Sequence, residues 1–328
     1  MIARRRILIA LGAAALGRPL TGLAQGARVY RVAYLSIDPD RGNPLFQAFR
    51  GAMRELGWID GTNVEYHFDA SDGRDELFYG IAAQMVRANV DVIVTVNSGS
   101  TMAAMQASDR IPIVFGSAAN PVEQKFVESL ARPGGNVTGL ALLVQELGPK
   151  RLQLLKEMLP RATRFARLYQ ASSIAAIQPA IMSVDDAAAR TLGVALEHVP
   201  VEEIEGIEAA ISALARKGVN AAHVTAAPLF VVNRALLAKL ALKHRLPLIC
   251  PDSRFVEAGA LSSYGEDQVA RFRSLATFVN KVLRGARPAD LPVEQPTTFE
   301  LALNLRTAKA MNLSIPNVVL LQATRVIS

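Results

Sequence analysis

Short apolar, β-branched runs alternate along this chain with longer stretches whose apolar positions recur every three or four residues. Residues 31–36 read as a strand. A helix follows over 45–56, with Leu45, Phe46, Phe49, Met53 and Leu56 on one face and Gly57 as its stop signal. Residues 63–70 alternate as a strand, and 77–90 place Leu77, Ile81, Met85 and Val86 on one helical face. Residues 92–96 are continuously apolar, as a strand covered on both faces requires. A short helix over 100–108 and a buried strand over 111–115 complete the first half. This strand–helix rhythm predicts βαβ units and a doubly wound parallel sheet.

The pattern then restarts. Helices are predicted over 150–159, 177–192, 207–216 and 233–244, and strands over 164–169, 195–199, 221–225 and 246–250. The tail holds one amphipathic helix over 268–283, a strand over 299–305 and a short helix to Met311. It is too short for a third domain and must pack on the existing lobes. The expected fold class is α/β: two Rossmann-like lobes with parallel sheets and several crossings between them. The first lobe is assigned 28–142 with a return over 262–288, and the second 143–261 with 289–328.

At 328 residues the length suits two domains, and 51% hydrophobic against 20% charged residues suits globular ones. Cys250 is the only cysteine, which excludes an intramolecular disulfide and a cysteine-based zinc site. It sits in an apolar strand pattern and is expected to be buried. His67, His198, His223 and His244 are scattered without metal-ligand spacing, so no metal or cofactor is expected. Residues 1–24 carry Arg4, Arg5, Arg6 and Arg18 and no acid; without them 32 basic residues face 29 acidic ones, leaving no charge-based case for nucleic acid. The same segment joins a basic start, an apolar stretch over 7–16 and small residues at 22 and 24. It reads as a signal peptide cleaved after Ala24, which implies export to the periplasm; the exported protein is expected to be a monomer. The arginines fit Sec or twin-arginine export.

In open α/β sheets, ligands bind outside the carboxyl ends of the strands. The loops at those ends nominate Ser36, Asp38, Asn97, Ser98, Ser117 and Asn120 on one lobe. Ser172, Ala226, Asp252 and Tyr264 are nominated on the other. Hydroxyls and helix-initial N–H groups suit a carboxylate or another polar group, while aspartates suit an ammonium or sugar hydroxyls. Ser98 and Asp252 also suit simple helix capping. Alanine at either is expected to weaken a ligand while leaving the unliganded melting temperature nearly unchanged. Trp58 is assigned to packing. The chain has no nucleophile-elbow, dinucleotide or P-loop motif, and the run 132–139 follows a helix, reading as a turn into a strand.

Four segments resemble one family of ABC-transporter substrate-binding proteins. They are Arg132-Pro-Gly-Gly-Asn-Val-Thr-Gly139, Ala286-Arg-Pro-Ala-Asp-Leu-Pro-Val-Glu-Gln-Pro-Thr-Thr-Phe-Glu-Leu-Ala-Leu-Asn304, Ala308-Lys-Ala-Met-Asn-Leu-Ser-Ile-Pro316 and Ile111-Pro-Ile-Val-Phe115. That family includes tryptophan- and tyrosine-type uptake proteins, and the resemblance spans about residues 31–327. Lys125-Phe126 and Ala323-Thr324 stand where members often carry Gly-Leu and Ala-Asp. The resemblance implies a type I periplasmic-binding-protein fold, three crossing segments and a ligand between the lobes. It further implies a small polar organic ligand, amino acids included, and an ABC permease as partner. An exported α/β enzyme or a ligand sensor facing a membrane receptor is the alternative. A transcriptional regulator of this fold would need a DNA-binding module in place of the leader.

Overall fold

A computed structural model describes residues 28–142, 144–172, 175–295 and 298–328. The expected leader over residues 1–24 and its cleavage point lie outside the described residues. The first half forms β1 (Tyr30–Ser36), α1 (Pro44–Glu55), β2 (Val64–Ala70), α2 (Leu77–Arg87), β3 (Val92–Thr95), α3 (Ser98–Ala107), β4 (Ile113–Ala119) and β5 (Val137–Leu142). Its five strands order as β2-β1-β3-β4-β5, every neighbour parallel. The glycine-rich run does enter a strand, β5. At Gly139 φ is +148° and an added Cβ would stand 2.0 Å from the Phe115 carbonyl oxygen, so only glycine lets β5 approach β4 there.

The second half continues with α4 (Val144–Met158), β6 (Arg164–Tyr169), α5 (Gln178–Thr191), β7 (Ala195–Pro200), α6 (Ile204–Arg216) and β8 (Ala221–Val224). Next come α7 (Pro228–Val232), α8 (Arg234–Lys243), β9 (Leu248–Cys250), α9 (Ser253–Glu257) and β10 (Ser262–Glu266). The tail supplies α10 (Gln268–Leu283), β11 (Phe299–Asn304), α11 (Leu305–Ala310), α12 (Asn317–Gln322) and β12 (Arg325–Ile327). The second sheet runs β12-β11-β10-β9-β8-β6-β7, so β7-β6-β8-β9-β10 repeats the order of the first. Among the described residues only β10 and β11 pair antiparallel.

The lobe boundaries differ from the expected ones. The stretch 262–288 divides: β10 pairs with β9 and β11 in the second sheet, while α10 returns to the first. Phe272, Leu275, Phe278 and Val279 of α10 join Tyr34, Phe49 and Met53 in one core. The chain then stays on the first lobe beyond residue 288. Thr138 Oγ1 donates to the Leu291 carbonyl at 2.7 Å, Val293 N–H to that of Leu130 at 2.7 Å, and Ala141 N–H to that of Glu294 at 2.9 Å. The chain thus crosses between the sheets near residue 143, at Asp267, and between Glu294 and Phe299. β10 escaped sequence reading because Ser262-Ser263-Tyr264-Gly265-Glu266 has no apolar alternation; neighbours on both sides hold it as a strand.

Trp58 packs edge-on against Tyr30 and donates from its indole N–H to Asn280 Oδ1 at 3.1 Å. Cys250 is fully buried, which pushes its thiol pKa well above the usual range.

Candidate functional site

In a 2-1-3-4-5 sheet the strand order reverses between strands 1 and 3, and connections there leave toward opposite faces. In the first lobe that point brings together the ends of β1 and β3, and in the second those of β6 and β8. These ends face each other across a cleft enclosing about 140 Å³, lined by both lobes. Seven of the nominated residues line it: Ser36, Asp38, Asn97, Ser98, Ser117, Ala226 and Asp252.

On the first lobe, Ser36 Oγ donates to the Asp38 carbonyl at 2.8 Å, fixing the turn after β1. Asn97 caps α3: its Oδ1 accepts from Ser100 N–H at 2.8 Å, while Ser100 Oγ accepts from Asn97 N–H at 3.1 Å. Ser98 Oγ accepts from Ala119 N–H and from Gln124 Nε2, each at 3.0 Å, tying α3 to the end of β4. The N–H groups of Ser98 and Gly99 have no acceptor among the described residues and lie at the cleft. Behind them the Asp75 carboxyl packs against Gly99, where a Cβ would come within 3.2 Å of Oδ1. Burial, helped by Glu76, raises the Asp75 pKa to about 6.

The second lobe contributes buried charge. Arg167 and His223 are register partners on β6 and β8, and Asp185 of α5 meets both. Arg167 Nε stands 3.1 Å and His223 Nε2 3.4 Å from Asp185 Oδ2. Each of the three is 1% exposed. Burial favours a neutral Asp185, but His223 and Arg167 outweigh it and hold its pKa below the ordinary value. Burial prevails at His223, lowering its pKa, so the imidazole is neutral at pH 7. Asp252 caps α9, accepting from Arg254 N–H at 3.1 Å, and binds the Arg254 guanidinium through both oxygens at 2.8 Å. Arg151 of α4 donates from Nε to the Tyr264 carbonyl at 2.8 Å and reaches the Pro251 carbonyl at 3.5 Å.

Glu266 and Arg271 pair at the second crossing. Arg271 also donates to the carbonyls of Gly116, Leu140 (2.7 Å) and Ala141 (2.9 Å), binding the crossing to β4 and β5. The lobes touch across the cleft. Arg234 Nη1 lies 3.5 Å from Asp38 Oδ2, and Ala119 packs with Ile177 and Ile181.

Three nominated residues are not in the lining. Asn120 turns away at a φ of +42°, its side chain donating to Glu123 at 2.9 Å. Ser172 is engaged by Glu202 through its N–H and Oγ. The Tyr264 ring stacks on Phe299, and its carbonyl accepts from Arg151. Sequence reading missed Arg151, Arg167, Asp185, His223, Arg254 and Glu266. The available signal was a charged residue inside an apolar strand, as Arg167 is in β6 and His223 in β8; a charge there requires a buried partner. Tyr34 and Phe272 supply aromatic lining from a strand and a returning helix, outside the strand-end loops.

Two like-ordered α/β lobes joined by three crossings around a cleft of apolar walls and buried charges define a solute-binding protein of the type I periplasmic-binding-protein architecture. The chain belongs to the ABC transporter substrate binding protein family, which matches residues 38–327. A tyrosine-binding protein of Clostridioides difficile is 28% identical over 268 residues, covering 81% of this chain and 76% of that protein. Among solved structures, a conserved domain protein from Vibrio cholerae superposes with a TM-score of 0.82 at 26% identity, covering 91% of this chain and all of that one. An ABC domain from Streptococcus pneumonia in complex with L-Trp also gives 0.82, at 22% identity over 92% of this chain and all of that one. Among the described residues no helix is long and apolar enough to cross a membrane.

Proposed function

We propose that this chain captures one small polar organic molecule between its lobes and delivers it to an ABC importer, without covalent chemistry. It does so in the periplasm after losing residues 1–24. The observation that carries this reading is the meeting of both switch points at one cleft, with unpaired N–H donors on one lobe and buried charge on the other. Ser36, Asp38, Asn97, Ser98, Ser117, Ala226 and Asp252 are the nominated residues retained as ligand contacts or supports. A ligand touching both lobes favours the closed arrangement, and a permease that distinguishes closed from open receives only loaded protein. Amino acids are candidate ligands because of the named tyrosine-binding relative and the L-Trp complex.

A thermal-shift screen joined to native mass spectrometry tests the reading. A ligand at one hundred times its Kd should add about 2.7 kcal/mol of stability and bind one per chain. Failure of every small solute to bind would refute it. Delivery is tested by deleting the chain in its host: uptake of the identified ligand should be lost, and unchanged uptake would contradict transport.

A further inference from the structure

Resting on that reading, we propose that the ligand carries a carboxylate with no compensating ammonium, and that Arg151 is its counter-ion. Among the described residues four carboxylates line the cleft: Asp38, Asp185, Asp252 and Glu266. Each already has an arginine. Arg234 meets Asp38, Arg167 meets Asp185, Arg254 meets Asp252, and Arg271 meets Glu266. Arg151 is a fifth arginine and, among the described residues, has no carboxylate within 4.0 Å. It is 6% exposed, and its described hydrogen bonds run only to two carbonyl oxygens, from Nε and Nη2. Its Nη1 has no acceptor among the described residues, although the side chain lines the cleft.

A buried guanidinium with no directly paired carboxylate is costly: desolvation lowers the Arg151 pKa to about 10, only partly offset by the more distant Asp185 and Asp252. A bound carboxylate offsets that cost. The opposite wall agrees in sign, since the Ser98 and Gly99 N–H groups at the start of α3 are unpaired donors. An α-ammonium, by contrast, meets no unclaimed acid in the lining among the described residues. Asp75 lies outside that lining, packed behind Gly99. The cleft walls also include Tyr34, Leu45, Ile181 and Phe272, which suit an apolar body behind the acid group.

Matched probes on the full mature chain separate the alternatives. The first set is 3-phenylpropionate, 3-phenylpropionamide, L-phenylalanine and phenethylamine. The second is 4-methylpentanoate, its amide, L-leucine and isoamylamine. Melting shifts are read at equal concentration, and any ligand retained from the periplasm is weighed by native mass spectrometry. The expected result is a larger shift from a carboxylate than from its matched amide, amino acid or amine. The amide should lose at least about tenfold in affinity, a comparison needing no variant. R151Q should lose a similar factor for the best carboxylate, with R151K recovering part of it. A larger shift from the amino acid, amide or amine overturns the proposal while leaving the solute-binding reading intact. So does R151Q binding the carboxylate normally, whether or not its unliganded melting temperature falls. If no probe shifts the melt and no carboxylate is retained, the proposal fails, while the solute-binding reading falls only if the wider screen of small solutes also finds none.

Discussion

Asp252 and Arg254 show what a single residue does at this cleft. Sequence alone offered Asp252 as a helix cap or a ligand contact. In the fold it caps α9 and also neutralises a buried guanidinium through two hydrogen bonds. Asp252→Ala would leave Arg254 buried and uncompensated. It should cost about 3–5 kcal/mol in urea unfolding, against the expectation that the melting temperature would stay nearly unchanged. Ser98→Ala is corrected likewise: losing the acceptor for Ala119 N–H and Gln124 Nε2 should cost about 1–3 kcal/mol even without ligand. Asp75 gives the pH prediction. Its pKa is raised from 3.8 to about 6, so the native state binds a proton more readily than the unfolded chain. That stabilisation is fully present below pH 4 and is lost as pH rises through about 6. Asp75→Asn, which keeps a neutral side chain, should therefore melt higher than the parent at pH 8 and about equally at pH 4, in a pair of calorimetric scans. Equal melting at pH 8 would contradict the assignment.

At the scale of elements, periodicity read what is amphipathic or wholly apolar. α10 was predicted over the residues it occupies because Phe272, Leu275, Phe278 and Val279 recur at helical spacing and meet one core. Phe272→Ala should cost about 3–5 kcal/mol, since the ring also fills the space beside Gly116, where an added Cβ would stand 2.8 Å from its Cζ. Elements held by tertiary neighbours left no such trace. β10 has polar residues at most positions, and α9 is a single capped turn beneath the cleft. The switch-point rule located Ser36, Asp38, Asn97 and Ser98 at the cleft because strand ends are fixed by topology. The charged cluster was legible only as isolated charges in apolar strands: Arg167, Asp185 and His223 meet only once β6, α5 and β8 pack, with α4 alongside. Gly148 marks that packing, since a Cβ there would stand 1.9 Å from Asp185 Oδ1. Gly148→Ala should therefore disrupt the cluster and weaken both stability and binding.

For the molecule as a whole, the lobes also meet outside the crossings, where Arg234 faces Asp38, Ala119 packs on Ile177 and Ile181, and Ile37 packs on the second lobe's core. The Arg234–Asp38 pair is partly exposed and long for an ion pair, so it holds the closed form weakly, by about 0–1 kcal/mol. Arg234→Ala should speed ligand release only a few-fold in stopped-flow dissociation. The ligand, touching both walls, would then supply most of the energy for closure. The central claim, that one solute is clasped between the switch points of both lobes, is tested most directly by a crystal structure of the chain with the ligand its thermal-shift screen returns. The account predicts electron density for one molecule between the start of α3 and Arg151, with polar contacts from each lobe. A ligand contacting one lobe alone, or seated away from the cleft, would contradict it.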